Sequence, residues 1–264
     1  MPVNLQAHII EAPGEFAMTP EEKFLFDLHG YLVIKNVLTA EEVAQLNALA
    51  DEKFPRDPSK PDRRTRVSTW GPATQALIDH PKILPYLLTL IDSKFRLDHD
   101  YCIFMEPGAP GSSLHGGEGH EGDHWYKYRD GQMKNGLCVV TYFLAPAAAG
   151  DGGFACIPGT HKSNFLDGIP RDVMRHVRAA PYVVQPAVEA GDALFFTEAL
   201  VHGTLPWKAS HERRALLYKY SPGYSAWSQK YYSPDDYSGL TEQQRRIVSP
   251  PSVGSRPDVV QPTS

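Results

Sequence analysis

Cysteine is scarce in this 264-residue chain. Cys102, Cys138 and Cys156 are the only three, and no pair has C-x-x-C spacing. Such a set builds neither a disulfide framework nor a thiolate zinc site, and an odd number without a secretory pattern points to buried, reduced thiols. Long apolar runs are missing as well. None approaches the roughly 20 residues that span a bilayer, and Met1-Pro2-Val3-Asn4-Leu5-Gln6 has no charged flank leading into an apolar stretch. A cytoplasmic protein with no membrane partner is expected. Nor is there an excess of basic charge: 26 Lys and Arg stand against 31 Asp and Glu, a net charge of −5. The basic residues are scattered apart from Arg63, Arg64 and Arg66, so a polymeric nucleic-acid partner is not expected.

What is present suffices for a large core. With 42% hydrophobic and 22% charged residues, the chain reads as one globular domain over residues 1–248. Its 23 Pro and 21 Gly imply many turns and argue against a helical bundle. Two helix starts stand out. Thr19-Pro20-Glu21-Glu22 and Thr39-Ala40-Glu41-Glu42 both have a threonine cap with Glu three residues on, the second leading a helix to about Phe54. Between them Gly30 breaks the pattern, and Tyr31-Leu32-Val33-Ile34 suits a buried strand. Leu77–Ile91 is helical in pattern, with a boundary set by Pro81 and Pro85.

From there the pattern becomes one of strands. Phe95–Met105, Leu137–Leu144, Gly153–Ile157, Pro181–Val188, Asp192–Thr197 and Ala215–Tyr220 are strand-like runs between turn residues. Leading helices followed by short strands predict an α+β protein around a two-sheet barrel or jelly roll. Residues 106–136 form a connection long enough to suggest an active-site segment, and Ser249–Ser264 reads as a flexible tail.

Two histidines carry the chemistry. His115 follows a Gly-rich turn and His202 follows a β-branched and aromatic strand, 87 residues later. A lone histidine is more often a hydrogen-bonded surface or turn residue than a ligand. A closed jelly roll, however, brings such positions together at one mouth, where paired imidazoles suit a divalent metal such as iron. Arg213 lies 11 residues beyond His202 on the next apparent strand, placed to grip a carboxylate bidentately. Arg214, on the opposite strand face, is its competitor, and Arg213 is preferred because its alternative, a surface pair with Glu212, fits poorly before the apolar run Ala215–Tyr218.

These elements occur in a recognisable order. Asp27-Leu28-His29-Gly30-Tyr31 through Leu38, Gly152-Gly153-Phe154-Ala155-Cys156-Ile157-Pro158-Gly159-Thr160-His161-Lys162, Ala190-Gly191-Asp192 with Phe195-Phe196, His202-Gly203-Thr204 and Arg213-Arg214-Ala215-Leu216 together resemble the phytanoyl-CoA dioxygenase-like branch of iron(II)/2-oxoglutarate oxygenases. The resemblance covers most of the chain. It implies a double-stranded β-helix (cupin-like jelly-roll) core behind the N-terminal helices, His115 and His202 as iron(II) ligands, Arg213 as the partner of the 2-oxoglutarate distal carboxylate, and O2 as co-substrate. His161 is read as structural.

One position departs from the family pattern of His-x-Asp or His-x-Glu. Here it is His115-Gly116-Gly117, and glycine has no ligand atom. The related radical halogenases carry Gly or Ala there and bind chloride in the opened position, which makes chlorination of an aliphatic C–H bond the first reading. Hydroxylation by the same machinery, with Glu118, Glu121 or Asp123 as a displaced carboxylate ligand, is the second. A noncatalytic cupin-like binding protein is a third reading, of a different class. For the small-molecule substrate, Arg63, Arg64, Arg66, Lys208 and His211 suit a phosphate or carboxylate, and Trp70, Trp125, Tyr126, Tyr128 and Trp207 suit a planar ring. A phosphorylated or nucleotide-like metabolite would use both. The plainer alternative is a solvated arginine loop with aromatics that pack the core or rim.

Overall fold

A computed structural model of the chain describes residues 9–11, 18–117 and 122–261. The helices are α1 (Pro20–His29), α2 (Ala40–Lys53), α3 (Pro72–Gln75), α4 (Leu84–Leu90), α5 (Arg171–Met174) and α6 (Glu242–Val248). The strands are β1 (Ile9–Glu11), β2 (Tyr31–Lys35), β3 (Asp62–Arg63), β4 (Arg96–Met105), β5 (Ser112–His115), β6 (Tyr126–Arg129), β7 (Gln132–Asn135), β8 (Cys138–Phe143), β9 (Gly153–Cys156), β10 (Ala193–Thr197), β11 (His202–Leu205) and β12 (Arg213–Ser221).

Both threonine caps form as the pattern requires. In α1 and α2 the threonine side chain accepts from the backbone of Glu22 or Glu42, whose carboxylate accepts in return from the cap nitrogen. The helices pack on one face of a seven-stranded sheet of order β1-β2-β10-β8-β12-β4-β3. Phe26, Leu46, Tyr86 and Leu87 from the helices meet Leu32, Val140, Phe195 and Leu216 from the sheet in one buried cluster.

The other face of that sheet meets a three-stranded sheet, β5-β11-β9. Val33, Ile103, Val139, Leu194 and Leu217 contribute from one side, and Phe154 and Cys156 from the other. The result is an α+β, sheet-rich jelly roll whose core strands are antiparallel, with flanking helices. Period-2 alternation explains the division, since β8, β10 and β12 are buried on both faces and feed both clusters. All three cysteines are buried and unpaired, and among the described residues no helix is long and apolar enough to cross a membrane.

The structure adds to or departs from the sequence reading in three places. The long connection carries strands. It contains β5 and the β6–β7 hairpin, and β5 pairs with β11, a long-range partnership that short polar strands do not announce. Pro181–Val188 forms no strand and makes only two isolated bridges, Val184 to Cys156 and Val188 to Ala147. The segment expected as a flexible tail has anchoring contacts as far as Val259. The Arg256 guanidinium is buried and donates to the carbonyls of Lys94, Ser249, Pro250 and Arg246, and Val259 is fully buried with its N–H on Ser93 O. A few anchors in a proline-rich segment leave no periodic trace in sequence.

Candidate active site

The pairing of β5 with β11 sets His115 directly opposite His202 in the ladder. Facing residues of an antiparallel pair project to the same side, and the two imidazole rings lie 4.6 Å apart between centroids. Each ring is oriented by its own chain. His115 Nδ1 lies 3.0 Å from Ser113 O, and His202 Nδ1 lies 2.8 Å from Leu200 O. A carbonyl only accepts, so Nδ1 carries the proton in both rings and the neutral form presents a bare Nε2 lone pair. This is the arrangement that histidine ligands of metals adopt. Phe154 and Phe196 pack against His202. Burial is the main reason that its pKa is pushed down to about 4, and nearby His115 acts in the same direction. An uncharged imidazole is the form that binds a cation.

Arg213 enters the same cavity from β12. This narrow space of about 70 Å³ is lined by His115, His202, Thr204, Phe154, Arg64, Tyr101, Thr141, Arg213 and Lys219, among others. The guanidinium is buried, and its Nη1 donates to Met105 Sδ at 3.5 Å, while its Nε has no hydrogen-bond partner among the described residues. Among the described residues no carboxylate forms an ion pair with it. Burial lowers its pKa to about 10, which still leaves it charged at neutral pH. Arg214 goes to the opposite face, where it binds Glu212, Asn47 and Asp51. Glu212 also pairs with Arg63.

Gly116 and Gly117 make the turn after His115, both in left-handed backbone conformations with φ of +88° and +108°. A Cβ on Gly116 would stand 2.8 Å from Leu200 O and 2.9 Å from Glu198 O. Glycine is therefore required for this turn to back against the segment leading into β11. A Cβ on Gly117 would meet Leu166 Cδ1 at 2.5 Å and Val201 Cγ2 at 3.6 Å. Position 117 thus points toward the satellite cluster of Leu114, Ile157 and Val201.

Of the three displaced carboxylates considered, Glu118 and Glu121 lie outside the described residues. Asp123 is buried, with Oδ1 3.7 Å from His124 Nε2, and burial, reinforced by Asp98 and Glu198, pushes its pKa up to about 6. Asp123 does not line the cavity. The carboxylate that does is Glu198, which sequence reasoning missed. Its Oε1 accepts from Lys219 Nζ at 2.6 Å, while Oε2 lies 3.6 Å from His202 Nε2 and 3.9 Å from His124 Nε2. Burial opposes its ionisation, but the Lys219 ammonium paired with it outweighs that and holds the carboxyl well below the usual range. A signal was available: Glu198 is the one charged residue in the run Ala193–Val201, and a charge buried within such a run needs a partner. Among the described residues no three His, Cys, Asp or Glu side chains are already closed into a metal-binding group. The donors in place are the two oriented imidazoles with Glu198 beside one of them, a set suited to a divalent first-row metal.

The substrate candidates are dispersed. Arg63 is buried in its pair with Glu212 and packs on Phe54, and Arg66 lies over Tyr232. Only Arg64 of the three lines the cavity, and it is paired with Asp62. Trp207 is fully buried and donates to His211 O, and Trp70 packs against the core. Tyr128 is exposed and lines a separate cleft of about 860 Å³ that contains neither imidazole.

Two facing imidazoles and a buried arginine thus share one mouth of a jelly roll. Comparison with known proteins gives the family. The phytanoyl-CoA dioxygenase (PhyH) family model matches residues 26–215, more than two thirds of the sequence, and the chain belongs to that family of iron- and 2-oxoglutarate-dependent oxygenases. Among solved structures, HygX from Streptomyces hygroscopicus with nickel and 2-oxoglutarate bound is 24% identical, with a TM-score of 0.72 over 85% of this chain and 95% of that one. HygX with nickel, 2-oxoglutarate and hygromycin B bound is 23% identical, with a TM-score of 0.71 over 84% and 95%. AviO1 from Streptomyces viridochromogenes Tue57 is 17% identical, with a TM-score of 0.56 over 79% and 96%. No curated protein matches the chain significantly.

Proposed function

We propose that this chain catalyses the iron(II)- and 2-oxoglutarate-dependent oxidation of an aliphatic C–H bond in a small polar molecule, with His115 and His202 as iron ligands and Arg213 as the anchor of 2-oxoglutarate. The observation that carries this reading is the meeting of two Nε2 lone pairs and one buried guanidinium, unpaired among the described residues, in a single cavity. Iron(II) held there would, together with 2-oxoglutarate, let O2 serve as the oxidant. The chain's own residues do the rest. Ser113 and Leu200 carbonyls fix the imidazole tautomers. Arg213, a buried cation with no ion-pair partner among the described residues, is matched to a carboxylate. Phe154 and Phe196 keep water away from His202. That HygX was solved with both 2-oxoglutarate and hygromycin B supports the cosubstrate and a small, polar substrate.

Aerobic incubation with iron(II) and 2-oxoglutarate tests the reading. Succinate should form, and H115A and H202A should abolish it; succinate formation that survives both substitutions would refute it. Arg213→Gln should raise the KM for 2-oxoglutarate by about 10- to 100-fold, the loss expected for one charge-assisted pair, with a much smaller effect on kcat.

Chlorination, the first reading of the sequence, is kept here as the second, because Gly117 has no atom with which to occupy a coordination position. Mass spectrometry of a panel of small metabolites, phosphorylated and nucleotide-like compounds included, incubated with and without chloride separates the two. A chlorine isotope pattern favours chlorination, and a gain of one oxygen atom favours hydroxylation.

A further inference from the structure

We infer that Glu198 supplies the carboxylate ligand that Gly117 cannot, so that the metal site is His115, His202 and Glu198, with the carboxylate placed four residues before the second histidine. The inference rests on the iron reading above and adds a ligand to it.

The first argument is the mutual orientation of His202 and Glu198. Because His202 Nδ1 donates to Leu200 O, its Nε2 in the neutral ring is an acceptor, and the atom facing it at 3.6 Å, Glu198 Oε2, is an acceptor too. Two acceptor atoms held 3.6 Å apart leave a place for a cation between them. A proton shared in a hydrogen bond does not fit, since 3.6 Å is too long for one. A metal does fit. Two ligands at about 2.1 Å from one ion stand roughly 3.0–3.6 Å apart for bond angles of about 90° to 120°.

The second argument is how Glu198 is held. Lys219 engages Oε1, which fixes the carboxylate and leaves Oε2 directed at His202 Nε2, with His124 Nε2 farther off at 3.9 Å. The backbone fits around this arrangement, since Gly116 is the residue whose missing Cβ lets the turn after His115 close onto Glu198 O and Leu200 O. His115, exposed at the end of β5, has room to adjust on binding. The third argument is elimination among the described alternatives. A side chain at 117 points to Leu166 and Val201, and Asp123 faces His124 without lining the cavity. Two imidazoles and one carboxylate form the donor set typical of non-haem iron(II) sites with open positions.

The test is Co(II) binding to the metal-free full-length protein, followed by titration calorimetry and by the visible absorption of the bound ion, with 2-oxoglutarate omitted. E198Q should lower the affinity by about 100-fold or more and change the Co(II) spectrum, because removing a direct ligand exceeds the 10- to 100-fold typical of a hydrogen-bonding neighbour. D123N should change neither. If E198Q keeps wild-type affinity and spectrum while D123N loses them, the inference is overturned in favour of Asp123. If neither variant changes, the inference is overturned without touching the iron reading. Failure of the wild-type chain to bind Co(II) at all would overturn both. Because Glu198 is ion-paired and E198Q can unfold, the wild-type protein gives an independent check. A crystal structure with Co(II) located by anomalous scattering should place Glu198 Oε2 within about 2.3 Å of the ion, and a carboxylate that stays on Lys219 alone, beyond about 3 Å, would contradict the assignment.

Discussion

Replacing Gly117 with Asp should destabilise the protein without adding a metal ligand, although sequence comparison alone makes it the obvious repair of a missing carboxylate. The residue sits at φ +108°, where a side chain costs about 1–2 kcal/mol. Its Cβ would lie 2.5 Å from Leu166 Cδ1, so Leu166 must shift before any further atom is accommodated. The carboxyl group would then enter the cluster of Leu114, Ile157 and Val201, and burying it there without a partner costs about 1–3 kcal/mol more. Together these give about 2–5 kcal/mol. For a chain of this size that is a fall in Tm of roughly 5–15 °C, measured by thermal or urea unfolding of the metal-free protein. Gly117→Ala isolates the backbone and Cβ contributions and should account for about half. The reasoning is refuted if the aspartate variant unfolds at the wild-type temperature and binds Co(II) more tightly, since its carboxylate would then have turned toward the imidazoles.

Other predictions follow from the same contacts. His161 is fully buried, and burial, reinforced by Lys162, pushes its pKa down to about 4 against 6.5 unfolded. Its contribution is therefore complete above about pH 6.5 and lost as pH falls toward 4, about 2 kcal/mol of it by pH 5; urea unfolding at pH 7.5 and 5 should show the loss, and His161→Gln should reduce that dependence. Arg256→Ala removes the guanidinium that satisfies the carbonyls of Lys94, Ser249, Pro250 and Arg246. It should cost about 2–4 kcal/mol and expose residues 250–261 to limited proteolysis, and a segment that stays protease-resistant would count against its anchoring role.

The parts of the fold legible in sequence are those fixed by local chemistry. The capped helices after Thr19 and Thr39 and the apolar, β-branched strands around Val139, Phe195 and Leu216 form where short-range pattern places them. Strands β5 and β11 escaped notice because each has four residues rich in Ser, His, Gly or Thr, and they exist through long-range pairing, β5 with β11 and β11 also with β9. The site divides in the same way. His115, His202 and Arg213 could be singled out by spacing and resemblance, and the structure brings them to one cavity. Glu198 could not, because its significance lies in where its carboxylate points relative to Lys219 and His202. Gly117 illustrates the converse. Its missing side chain reads as a vacancy at the metal, yet its backbone directs any side chain into apolar packing.

The central claim is that His115 and His202 hold one iron(II) ion while Arg213 secures 2-oxoglutarate beside it. Anaerobic addition of iron(II) and then 2-oxoglutarate to the metal-free protein tests it most directly. A weak visible charge-transfer band should appear that requires both additions, is absent in H202A, and needs a higher 2-oxoglutarate concentration in Arg213→Gln. A wild-type protein that takes up no iron and develops no band would contradict it.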